Sequence, residues 1–231
     1  MASGLRQVSV TAAETVSVDD SGTLRRVIKR FGLTPLLVLA AISVAMLVAA
    51  RMAVPFPGDA QLTQWIKSVA PPGAWSQAVT GAAYKPWIFG VLAVSAIAAF
   101  RVAGWRAALA MAIAMFAFMQ LEQPIKAMIQ RPRPGAMSGY GMPSGWALLF
   151  GATVGLLGVL AWRNTRGATR AVYVIGCAGV LVAGLAARVT LGAHWPSDVI
   201  AGYLLSITVG LALFELLATI LRPSRTPAAR Q

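Results

Sequence analysis

His194 is the only histidine in the chain, and it stands four residues before Asp198 in the run ARVTLGAHWPSD, Ala187 to Asp198. A carboxylate bonded to one imidazole nitrogen leaves the other as a basic lone pair, which can attack phosphorus. Residues four apart share a face if the stretch is locally helical, although Pro196 predicts a bend. Arg188 in the same run offers a planar fork of N–H donors suited to phosphate oxygens. A second basic run, KAMIQRPRP, adds Lys126 as a point charge and Arg133 as another fork. Between the two runs lies MPSGW, where Pro143, Ser144 and Gly145 read as the start of a helix. Free backbone N–H groups and the helix dipole favour an anion there.

The remaining polar residues near these runs have blander readings. Glu122 precedes Lys126 by four positions; pairing with Lys126 or exposure at the interface outweighs a role as a proton donor. Arg131 reads as a solvated or headgroup-contacting charge. Trp195 divides evenly between lining a lipid slot and belonging to an interfacial belt. Glu215 reads as facing another helix or snorkelling, and Cys177, the only cysteine, as a small core residue.

The elements that carry these residues belong in a bilayer. Of 231 residues, 58% are hydrophobic and only 12% charged, with a mean hydropathy of +0.70, which excludes an ordinary soluble domain. Runs of about twenty apolar residues need their backbone groups satisfied within lipid, and without strand alternation they must be helices. The reading is all-α, with about six spans near 34–54, 87–100, 107–121, 144–162, 171–191 and 199–221. The intervening 122–145 reads as polar and outside the lipid. Leu62, Trp65, Ile66 and Val69 predict one short helix lying flat in the interface, with Trp75 and Trp87 in the same belt. Gly151, Gly155, Gly176 and Gly179 read as helix-packing positions. Residues 1–31 form a polar tail with no cleavable signal, 32–221 the transmembrane domain, and 222–231 a second tail.

The balance of 20 basic to 7 acidic residues gives a net charge of +13. With the charges set between apolar spans, this is a topology signal and not a nucleic-acid footprint. An inside N-terminus leaves 13 of the 20 basic residues in the cytosol, so both termini are expected there. Lys126, Arg131, Arg133 and Arg188 then lie on the outer, unfavoured side, where function is the reason to keep them. A transporter is disfavoured because the charges gather at one face instead of at midplane.

The three spaced runs resemble the motifs of the type-2 phosphatidic acid phosphatase (PAP2) family: Lys-x6-Arg-Pro, Pro-Ser-Gly-His and Ser-Arg-x5-His-x3-Asp. The resemblance implies a PAP2-like bundle in which His194 is the nucleophile and Asp198 its orienting partner. It implies a phosphate cradle of Lys126, Arg133, Ser144, Gly145 and Arg188, with no metal or other cofactor. Two positions depart from it. Ala187 stands where serine is usual, and Trp146 where the family has the histidine that protonates the leaving group.

General acid catalysis is typically worth about 10²- to 10⁴-fold, so its loss weighs most on an alkoxide leaving group. A diphosphate leaves as phosphate, a far weaker base, so polyprenyl diphosphate is the expected substrate ahead of phosphatidic acid. The expectation is therefore a lipid phosphatase of the cell membrane, in a bacterium the inner membrane, with its site extracytoplasmic and the bilayer and a phosphorylated lipid as partners. A phosphotransferase is a variant of it. The alternative is an impaired PAP2-like protein that binds phosphorylated lipid without cleaving it.

Overall fold

The apolar runs fold into eight helices in the computed structural model, which describes residues 33–52, 55–84, 86–134 and 138–221. These are α1 (Leu33–Ala50), α2 (Asp59–Val69), α3 (Ala74–Gly81), α4 (Trp87–Ala103), α5 (Trp105–Ile129), α6 (Gly145–Asn164), α7 (Gly167–Thr190) and α8 (Pro196–Ile220). Both expected tails lie outside the described residues. Helices α5 to α8 are long and apolar enough to cross a bilayer, while α4 and the Pro35–Ala50 stretch of α1 are apolar but shorter. Their outward faces carry large exposed apolar side chains such as Val48, Val94, Ile97, Val172, Ile175 and Val182. A band of that kind is stable against lipid and not against water. The protein is an all-helical, multi-pass membrane protein.

Helix α6 is the centre of the bundle, packed by α4, α5, α7 and α8 and buried along most of its length. Small residues let its backbone come close to α8. A Cβ on Gly202 would stand 2.7 Å from that of Ala147, and one on Gly151 would meet Ser206 and the Tyr203 backbone. Gly155 likewise faces Ile207. The corresponding expectation for Gly176 and Gly179 is corrected, since a side chain at either would meet nothing within 4 Å. The close approach on α7 is made by Gly184, against the ring of Trp146. Within α6, residues Gly151–Gly155 form a π turn between two α-helical halves.

One boundary and one helix count also differ from expectation. Helix α5 does not stop at Leu121 but continues through Pro124 to Ile129. Its charges at 122 and 126 pair across one turn, so they do not end the helix. Between α1 and α4 there are two short helices instead of one. Helix α2 turns Asp59, Thr63 and Ile66 inward and leaves Leu62, Trp65 and Val69 exposed, so Ile66 departs from the expected outward stripe. At the end of the bundle remote from the basic runs, Arg106 donates to the Leu221 carbonyl and Arg163 pairs with Glu215 at 2.8 Å. The contact from Glu215 is thus to a neighbouring helix.

Candidate active site

Helix α7 ends in a left-handed Gly192, φ +68°, whose N–H bonds the Val189 carbonyl while that of Ala193 bonds the Arg188 carbonyl. This pair of bonds is the Schellman arrangement, for which glycine has no steric penalty. It turns the chain sharply, so His194 sits in the connection and not on a helix. Pro196 then begins α8, where a missing N–H and a fixed φ are favourable. The proposed bend at Pro196 is therefore corrected: the proline starts the helix that carries Asp198.

Asp198 is held from three sides. Its Oδ2 accepts the Trp195 N–H at 2.9 Å, its Oδ1 accepts Arg131 Nη1 at 2.7 Å, and its own carbonyl accepts the Ser144 N–H at 3.1 Å. The last bond ties the start of α6 to the start of α8. His194 Nδ1 lies 3.6 Å from Asp198 Oδ2, longer than a hydrogen bond. Burial drives the His194 pKa down to about 4, with Arg188 and Arg133 acting in the same direction and Asp198 opposing. The imidazole is neutral at physiological pH.

A cavity of about 420 Å³ opens beside the histidine. Lys126, Arg133 and Arg188 line it together with His194 and Gly145. Buried Nε groups of Arg133 and Arg188, and the Ser144 hydroxyl, have no hydrogen-bond partner among the described residues. Arg133 is steadied by a 3.3 Å bond from Nη1 to the Ala193 carbonyl. Glu122 enters the same cavity, paired with Lys126 as its spacing predicts, and its carboxylate lies directly on the Cα of Gly145.

Trp146 also lines the cavity but is fixed by other contacts. Its Nε1 donates to the Val79 carbonyl at 3.1 Å, and its ring stacks on Phe150 with centroids 3.8 Å apart. The far edge of the ring rests on Gly184, where a Cβ would stand 1.9 Å away.

Arg131 is where the sequence reading fails outright. It is 1% exposed, neither solvated nor in contact with headgroups, and bridges two carboxylates. Nη2 meets Asp59 Oδ2 and Nη1 meets Asp198 Oδ1, each at 2.7 Å, and Nη1 also reaches the Ser197 hydroxyl. Ser197 in turn donates to Asp59 from its N–H and its hydroxyl, and the guanidinium lies over the Phe56 ring. Buried charge must be paired, so the guanidinium is drawn inward by two carboxylates in a chain with only seven acids. That scarcity was the available signal.

Residues 103–222 match the family model described as the PAP2 superfamily. The chain belongs to the PAP2 superfamily. None of the curated proteins matches it. Among solved structures, this PAP2 protein is similar to the one described as the first transmembrane PAP2 type phosphatidylglycerolphosphate phosphatase, from Bacillus subtilis. The TM-score is 0.62 at 16% identity, covering 82% of this chain and 98% of that one. At that identity the likeness is one of fold. The PAP2 region runs from the last residue of α4 through the whole of α5 to α8 and so includes the two basic runs and the Met142–Trp146 run between them.

Proposed function

We propose that this PAP2 protein is a lipid phosphatase that passes a phosphoryl group from a phosphorylated lipid to His194 and then to water. The observation carrying this reading is the convergence of three cations, a helix N-terminus and one neutral imidazole on a single cavity. Lys126, Arg133 and Arg188 neutralise the phosphate oxygens, and the Ser144 hydroxyl and Gly145 N–H add neutral donors. Asp198, on the Nδ1 side, orients the ring so that Nε2 is the attacking atom. Such contacts tighten when substrate is bound, so 3.6 Å in the free protein is compatible with that role.

An apolar cavity of about 840 Å³ shares Tyr84 with the polar one and is lined by Trp87, Val91, Phe150 and Val154. This juxtaposition suits an amphiphile with a phosphorylated head. Trp146 supplies no transferable proton, so without a donor elsewhere in the site a diphosphate is favoured over an alkyl phosphate. The charge asymmetry favours cytosolic termini and an extracytoplasmic site.

The test is phosphate release by the purified protein from a polyprenyl diphosphate and from phosphatidic acid, with His194→Ala as control. Release from the diphosphate that vanishes in the variant is expected. The burial of Trp146 at the second motif favours one other reading, in which phosphorylated lipid is bound and not cleaved. Vanadate binding without phosphate release from either lipid would establish that reading instead.

A further inference from the structure

We propose that Glu122 is the proton donor and acceptor of this site, doing from α5 the work for which Trp146 carries no group. The inference rests on the phosphatase reading above. Two observations carry it. Among the described residues, Glu122 is the only carboxyl group lining the cavity that holds His194, Lys126, Arg133 and Arg188. Its carboxylate also lies against Gly145, one position before Trp146, since a Cβ there would come within 2.1 to 2.2 Å of all three carboxylate atoms. Only the absence of a side chain at 145 lets it reach the N-terminus of α6. Trp146 lines the same cavity, but its ring is held by Val79, Phe150 and Gly184.

In the free protein Lys126 holds Glu122 as an ion pair. An entering phosphate claims the same ammonium group, which leaves the carboxylate next to a second anion. A phosphomonoester bound as its monoanion brings one proton, which passes to Glu122 as the phosphate oxygens take the Lys126 ammonium group. His194 Nε2 then bonds to phosphorus as the bond to the leaving oxygen breaks, and that oxygen takes the proton from Glu122. In the second half, the Glu122 carboxylate removes a proton from water as the water oxygen bonds to phosphorus. The phosphorus–nitrogen bond breaks and its electron pair returns to His194. The proton on Glu122 leaves with the product phosphate as the carboxylate returns to Lys126, and the protein ends as it began.

The test is leaving-group dependence of single-turnover phosphoryl transfer, measured with phenyl, 4-nitrophenyl and 2,4-dinitrophenyl phosphates on the parent and on Glu122→Gln. A lost acid slows the phenyl ester by about 10²- to 10⁴-fold and the dinitrophenyl ester by less than about tenfold. Glu122→Asp, which keeps a carboxyl group, should retain a shallow dependence and guards against a Gln variant that fails to fold. An equal loss on all three esters, or a change in KM alone, would mean that Glu122 only holds Lys126, and would overturn the proposal. A folded parent that hydrolyses none of the esters and neither lipid would overturn the phosphatase reading and this inference with it. A parent active through His194 but indifferent to Glu122 would overturn the inference only.

Discussion

Arg131 holds Asp198 by a 2.7 Å ion pair in which neither side chain is exposed, and the same guanidinium holds Asp59. Removing one partner of a buried pair leaves an uncompensated charge, at a cost of about 3–5 kcal/mol. Arg131→Met should therefore lower the Tm sharply in detergent. Arg188→Gln should instead abolish vanadate binding with a far smaller loss of Tm, because Arg188 faces the cavity and Arg131 does not. Equal losses of binding at matched folding would mean that anions are attracted by diffuse charge, without a formed site.

Gly184 and Trp146 are complementary, so the two positions should couple. Gly184→Ala forces a Cβ into a rigid indole, and overpacking of this kind costs about 1–3 kcal/mol. In a Trp146→His background the penalty should largely disappear. Thermal unfolding of the four proteins of the cycle measures this, and additive effects would contradict the contact.

Trp146→His should also restore a donor on α6. The gain is expected on a phosphomonoester more than on a diphosphate, up to about 10²-fold. It should be largest when Glu122→Gln has removed the other donor. Rates on phosphatidic acid and a polyprenyl diphosphate in both backgrounds provide the measurement.

His194 predicts an unusual acid limit. Its pKa is about 4 in the folded protein against an ordinary 6.5, so the unfolded chain binds a proton that the folded one refuses. The contribution to stability is complete above pH 6.5 and is lost as the pH falls from there towards 4. The acid limb of kcat/KM assigned to this residue should likewise lie near pH 4, which a pH profile with an aryl phosphate would reveal.

The proposed orientation predicts that a cysteine at position 139 reacts with an impermeant thiol reagent on intact cells and one at position 165 does not. Cys177, buried within α7, should give little background. The reverse pattern would move the site to the cytosolic side.

The six apolar helices and the residues gathered in the cavity were legible because each depends on local pattern: long apolar runs, cations at fixed spacing, and glycine or proline at helix ends. Lys126, Arg133, Arg188 and His194 were found in this way. Asp59 and Arg131 were not, since their pairing spans 72 positions and neither stands in a motif. The Trp146–Gly184 contact was hidden because it too joins residues far apart in the chain. Helix α5 ran past its expected end because Glu122 neutralises Lys126 one turn away, a compensation that counting charges cannot register.

The π turn in α6 has a consequence for length variation. A π turn holds one residue more than the α-helical turn it replaces. A one-residue deletion within 151–155 would close that turn to α geometry while Gly145 and Trp146 on one side, and Leu160 on the other, kept their facing. The same deletion within Leu156–Asn164 would rotate everything beyond it by roughly 100° against α4 and α7. Relatives of this chain that differ by one residue in the buried helix should therefore carry the gap at 151–155.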